Sequence, residues 1–285
     1  MTENQYATPA ALVTTDWVAE HLDDPKVRIV EVDVDTLAYE EGHVPGSVAW
    51  DWSTQLCDVH ARDILGRSEM EELLRSSGIS EDTTIVLYGD NNNWFAAWAH
   101  WQLTMYGHRD VRLMNGGRIK WLAESRPITL DVPTFTRSSY SVGPLDDSER
   151  MLLDPLRALV HDRAVHLVDV RSPAEFTGEI LSPPGLPETC QRGGHIPGAA
   201  NVPWAAVCNA DGTFKSRADL EALYRSKGVD GSKPVIAYCR IGERSSHPWF
   251  ALKYLLGYAD VKNYDGSWTE WGNLVRAPIE KGPQP

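Results

Sequence analysis

Pro234-Val-Ile-Ala-Tyr-Cys-Arg-Ile-Gly-Glu-Arg-Ser-Ser246 is the stretch that decides how this 285-residue chain is read. Val235 to Tyr238 are apolar and β-prone, the pattern of a buried strand. Just beyond, Trp249-Phe-Ala-Leu-Lys-Tyr-Leu-Leu256 carries the apolar face of a helix. The residues between form a tight loop that opens on Cys239, holds Gly242 and contributes Arg240 and Arg244. Strand, loop and helix in that order place a thiol beside backbone N–H groups at a helix N-terminus. N–H dipoles favour negative charge there, and such surroundings lower a thiol pKa from about 8.5 to roughly 3.5–7.5. The expectation is a nucleophilic thiolate, Cys239, in a cradle formed by Arg240, Ile241, Gly242, Glu243, Arg244 and Ser245. The competing reading is a buried structural cysteine beside a surface arginine pair.

The programme of strands and helices runs twice. Gly42-His-Val-Pro-Gly-Ser47 recurs as Gly194-His-Ile-Pro-Gly-Ala199, and Trp52 and Trp204 follow the two copies. From Tyr238 onward the register is gap-free at an offset of 150 residues (238 minus 88), pairing Tyr88 with Tyr238, Asp110 with Asp260, Gly116 with Gly266 and Trp121 with Trp271. A repeat of domain size is a duplication, not a solenoid array. Strands alternating with helices predict α/β halves with mainly parallel sheets covered on both faces. The Pro-, Ser-, Thr- and Asp-rich segment Asp131 to Arg150 reads as a linker. That gives an N-terminal domain over 1–130, a linker over 131–150 and a C-terminal domain over 151–285. The second half also carries an insertion, Glu179 to Gly193, whose proline clusters predict a surface loop or a lid beside the site.

Each half serves as a control for the other. Cys239 aligns with Gly89, Arg240 with Asp90 and Arg244 with Trp94, so the first half keeps the scaffold and lacks the nucleophile. Asp90 would repel an anion. Trp94 and Phe95 read either as an apolar wall for a substrate or as helix core. His43 and His195 recur in both copies, which favours a structural role in the turn. Arg171 ends a strand where Asp33 stands in the first half; it helps hold the active loop or neutralises substrate, or else it pairs with Glu175 at i+4. Cys57, Cys190 and Cys208 read as bystanders, with Cys190 in a loop open to oxidation.

The net charge of −13 and a pI near 5.1 argue against nucleic-acid binding, so the basic residues that hold an anion must be concentrated at the site. No run approaches the roughly 18 apolar residues of a membrane span, and the N-terminus shows no signal-peptide pattern. The four cysteines form no CxxC pair or disulfide framework, which argues against zinc and for a reducing cytoplasm.

Taken together, the paired GHxPG turns, the Asp169-Val-Arg171 strand end, the Tyr-Cys239-Arg-x-Gly242 loop and the Asn115-Gly-Gly117 and Asp265-Gly-Ser267 turns resemble a tandem-domain rhodanese, with the bacterial thiosulfate sulfurtransferases the nearest group. The resemblance covers nearly the whole chain. It implies two domains, each a mainly parallel five-stranded sheet flanked by helices, of which the first is inactive. It implies Cys239 as the nucleophile that carries a persulfide, Arg244 as the substrate-binding residue and Arg240 as its helper. It also implies thiosulfate as sulfur donor, cyanide or a thiol as acceptor, and no metal or organic cofactor. Vertebrate members have a Lys at the position of Ile241 and an Arg at that of Glu175, so this chain departs from them by losing positive charge. The rivals are 3-mercaptopyruvate as donor, a phosphatase or arsenate reductase, and a persulfide carrier that serves a protein acceptor. Against the phosphatase reading, those signatures place an Arg six positions after the Cys, where this chain has Ser245.

Overall fold

The computed structural model describes residues 5–183, 185 and 190–283. The chain divides into two compact units, one built from Ala10–Asp147 with Cys208–Phe214, the other from the leading segment through Pro9, Ser148–Val207 and Lys215 onward.

In the first unit five strands lie in the order Leu12–Val13, Val111–Met114, Thr84–Tyr88, Val27–Glu31 and Val48–Ala49. In the second the order is Arg150–Met151, Val261–Tyr264, Val235–Tyr238, His166–Asp169 and Ala199–Asn201. Every pairing in both sheets is parallel. The two topologies are identical, as a duplication requires. Val27–Glu31 is buried along its whole length, as are Val235–Tyr238, because helices cover both faces of a parallel sheet.

The linker expectation changes in detail. Arg150 already belongs to an edge strand of the second sheet. The preceding residues are strapped to the first unit: the Arg75 and Arg67 guanidinium groups donate to the carbonyls of Tyr140 (2.7 Å) and Val142 (2.8 Å). The leading segment docks on the second unit, where Ala7 and Thr8 N–H groups donate to the carbonyls of Leu255 (2.9 Å) and Tyr254 (2.8 Å). Those carbonyls lie in the last turn of a helix, where outside donors satisfy groups that the helix itself leaves over.

Of the 179–193 insertion, residues 184 and 186–189 lie outside the described residues, and with them the lid expectation. Its trailing end is fixed: Arg192 donates to the carbonyls of Gly272, Ala277, Trp271 and Leu274 at 2.7–3.0 Å. Cys190 is buried there, with its thiol on the carbonyls of Arg192 and Leu181, which corrects the expectation of an oxidation-prone position. No helix among the described residues is long and apolar enough to cross a membrane.

Candidate active site

The strand Val235–Tyr238 ends at the centre of the second sheet and delivers Cys239 to the start of its loop. The helix that follows begins at Ser246, three residues earlier than its apolar pattern suggests, and its last six residues, Ala251–Leu256, are π-wound. Cys239 is fully buried, and Arg240, Glu243 and Arg244 expose only 7–8% of their surface. The Gly242 N–H donates to the Cys239 sulfur at 3.2 Å. Burial alone would push the thiol pKa up. The Arg244 charge, foremost, with the Ser245 and Gly242 N–H groups, opposes it, and the net direction is down. The cation that the sulfur feels most is Arg244, while the backbone carbonyl of Arg240 is held by the Thr269 N–H and hydroxyl, both at 2.9 Å.

Gly242 sets the curvature of the cradle. Its φ is +98°, and a Cβ there would lie 2.4 Å from the Asp265 carbonyl oxygen. Only glycine meets both conditions without a shift. Arg150 holds Asp265 in place with two bonds to Oδ2, at 2.9 and 2.6 Å.

Two further residues shape the loop: Asn263, which did not stand out in the sequence, and Ser267, which did so only as the end of the Asp265-Gly-Ser267 turn. Asn263, buried on Val261–Tyr264, donates from Nδ2 to the Gly242 carbonyl (2.7 Å) and accepts the Ser245 hydroxyl on Oδ1 (2.6 Å). Ser267 accepts the Cys239 N–H (3.1 Å) and donates its own proton to the Tyr264 carbonyl (2.7 Å). The 150-residue register held a signal for both: Asn263 faces Leu113 of the first half, and Ser267 faces Gly117.

Arg171 goes elsewhere than expected. It precedes the helix Pro173–Thr177, so helical i+4 spacing to Glu175 does not apply. Its guanidinium instead pairs with Asp169 at 2.5 Å, donates to the Gly194 carbonyl at 2.7 Å and lies 4.4 Å over the Trp268 ring. Burial pulls its pKa down, but Asp169 foremost, then Tyr238 and Glu175, raise it on balance. Arg171 is a fully buried structural cation. Glu175 turns to Arg244, with Oε1 3.3 Å from Nη2.

Trp94 and Phe95 sit in an aromatic cluster of their own unit. Phe95 stacks on Trp52 at 4.2 Å and on Trp94 at 5.7 Å, with the Trp98 ring edge-on at 5.9 Å. His43 and His195 hold the two turns in the same way. Each stacks on an aromatic ring at 3.6 Å, Tyr39 or Phe176, and each Nδ1 meets that residue's carbonyl. Tyr88 and Tyr238 complete the turns by accepting the N–H of Val44 (3.0 Å) and Ile196 (3.1 Å) on their hydroxyls.

The chain is similar to known proteins along nearly its whole length. The rhodanese-like domain model matches residues 14–124 and again 152–274. A Haloferax volcanii protein named "Putative thiosulfate sulfurtransferase" is 56% identical over 99% of this chain and 100% of its own length. The sulfur carrier protein TtuD of Thermus thermophilus is 54% identical over 98% of this chain and 99% of its own. Among solved structures, the 3-mercaptopyruvate sulfotransferase SseA from Escherichia coli superposes with a TM-score of 0.79 at 26% identity, over 91% of this chain and 99% of that one. A repeated α/β unit, two matches to one domain model and full-length relatives lead to one statement: the chain belongs to the rhodanese family, as two tandem rhodanese-like domains.

Proposed function

We propose that this chain is a thiosulfate sulfurtransferase whose C-terminal domain works through a persulfide on Cys239. One observation carries the reading: a single cysteine lies under the N–H groups of Gly242 and Ser245, with Arg244 as the cation that acts on it. In the first step the Cys239 thiolate attacks the sulfane sulfur of thiosulfate. The sulfur–sulfur bond of the donor breaks, sulfite leaves with the electron pair, and Cys239 holds an anionic persulfide. In the second step cyanide or a thiolate attacks the outer sulfur, and Cys239 leaves as thiolate. The cradle N–H groups stabilise the anionic sulfur in both half-reactions, as an oxyanion hole does for oxygen. No proton is required at the sulfur, which suits a thiol whose pKa is held down. Arg240, Ile241, Glu243 and Ser245 complete the cradle, and Arg244 receives the sulfonate end of the donor. Cys239 is closed to solvent, so the rim side chains move when donor enters.

Steady-state thiosulfate:cyanide assays test the proposal. Double-reciprocal plots should be parallel, as a covalent intermediate requires, and Cys239→Ser should lose at least about 1,000-fold in turnover. Turnover retained in Cys239→Ser would contradict the assignment. The name of TtuD favours a second reading, in which the persulfide passes to a protein acceptor. Sulfur transfer to a partner with negligible transfer to cyanide or small thiols would select it.

A further inference from the structure

Glu175 occupies a buried position that the reaction above does not use. The Ser172 side chain and Glu175 form a capping box at the start of Pro173–Thr177. Glu175 Oε2 accepts from the Ser172 N–H at 3.0 Å and from its hydroxyl at 2.9 Å. The helix cap thus fixes the carboxylate independently of the cysteine loop. Its other oxygen lies 3.3 Å from Arg244 Nη2, with side-chain exposures of 1% and 8%. Arg171 has Asp169 as its bonded partner through Nε and Nη2, so Arg244 is the arginine that Glu175 contacts directly. The Arg244–Glu175 pair is nearly closed to water, so little screens it. Its two charges cancel, and the thiolate on which Arg244 acts leaves the three groups net negative before any donor arrives. A dianion entering this cluster meets a cation already shared.

We infer that Glu175 is a specificity-determining residue: by sharing Arg244 it holds down the use of dianionic donors such as thiosulfate relative to donors that carry one negative charge. The inference rests on the sulfurtransferase reading for its substrate class, while its electrostatic core is independent of that reading. Glu175→Gln is the direct variant, because the amide oxygen still accepts from Ser172 while the negative charge is gone.

The experiment compares alkylation of Cys239 by iodoacetate, an anion, and by iodoacetamide, a neutral analogue. Neither reaction needs a sulfur donor. Glu175→Gln should raise the iodoacetate-to-iodoacetamide rate ratio about fivefold or more, the scale of one nearby charge. It should also raise kcat/KM for thiosulfate by a similar factor, with 3-mercaptopyruvate, a monoanion, rising less. In an Arg244→Gln background the same change should leave the ratio nearly unmoved, because the shared cation is absent. Thermal melting reports whether the variants fold. If Glu175→Gln does not, Glu175→Asp draws the carboxylate back from Arg244 and should shift the ratio in the same direction. An unchanged ratio, or an equal gain for both donors, overturns the inference. A raised ratio without thiosulfate turnover in either protein upholds the charge assignment and overturns the donor named above.

Discussion

The loops Asp90–Asn93 and Arg240–Glu243 occupy the same place in the two halves and are built on opposite principles. The first is wound left-handed by three consecutive asparagines, Asn91, Asn92 and Asn93, at φ of 43°, 57° and 65°. In the second only Gly242 has a positive φ. Asn93 accepts the Gly89 N–H (2.9 Å) and donates to the Met114 carbonyl (2.6 Å). In the second half Ser267 makes the equivalent pair of bonds, to Cys239 and Tyr264. The two solutions exclude each other, since a Cβ on Gly117 would lie 2.3 Å from the Asn93 side-chain oxygen. By moving that bridge to Ser267, the second half frees its loop to curl over the sulfur.

The charges follow the same logic. Each strand-end carboxylate meets one arginine: Glu31 pairs with Arg118 at 2.6 Å, and Asp169 pairs with Arg171. Where the second half has Arg171, the first has Asp33, which accepts the Asp90 N–H at 2.6 Å. Asp90 in turn accepts the Val34 and Asp35 N–H groups at 2.6 and 3.1 Å, so the strand end and the loop bind each other through their own carboxylates. Gly89 sits 2.1 Å (measured from an added Cβ) from the Val32 carbonyl oxygen, which leaves no room for a cysteine side chain. The first half is therefore a filled and closed version of the site, and substituting its loop residues singly would not open it.

Three substitutions sharpen the comparison, from the largest effect to the smallest. Gly242→Ala sets a methyl group against the Asp265 carbonyl at positive φ, and should cost about 100-fold in kcat/KM through loss of the N–H directed at the sulfur. Wild-type kinetics in that variant would mean the cradle does not need this curvature. Asn263→Leu installs the residue of the first half and takes the amide donor from the Gly242 carbonyl, leaving it the Ser245 hydroxyl at 3.1 Å, a loss of about 1 kcal/mol for one buried hydrogen bond. Turnover should fall roughly tenfold, with the Cys239 alkylation profile shifted in pH; an unshifted profile would remove Asn263 from the positioning of the loop.

Asp33→Asn tests the closed half. Burial, then the charge of Glu31, raises the Asp33 pKa to about 9. The folded state thus holds a proton that the unfolded state releases at much lower pH. Stability from this group is full in acid and is lost as pH rises toward 9. Melting temperatures of the Asn variant should fall less between pH 5 and 8 than those of the parent chain, and parallel curves would contradict the assignment.

Much of this was legible in the sequence. The gap-free register announced the duplication, and the apolar run before Cys239 with Gly242 and two arginines after it pointed to the candidate site. Pairing between distant residues was not legible. Glu175 and Arg244 meet across 69 positions, and Arg171 turned from Glu175 to Asp169 because it precedes the helix whose spacing suggested the pair. Asn263 looks like one polar residue in an ordinary strand, and the Asp265-Gly-Ser267 turn gives no sign that its Ser bonds the cysteine loop; the counterparts Leu113 and Gly117 are what mark the two side chains.

Intact mass after brief incubation with thiosulfate tests the central claim most directly. The account predicts one added sulfur, about 32 Da, located by peptide mapping on Cys239 and absent from Cys57, Cys190 and Cys208. No mass gain, or a gain that persists in Cys239→Ser, would contradict it.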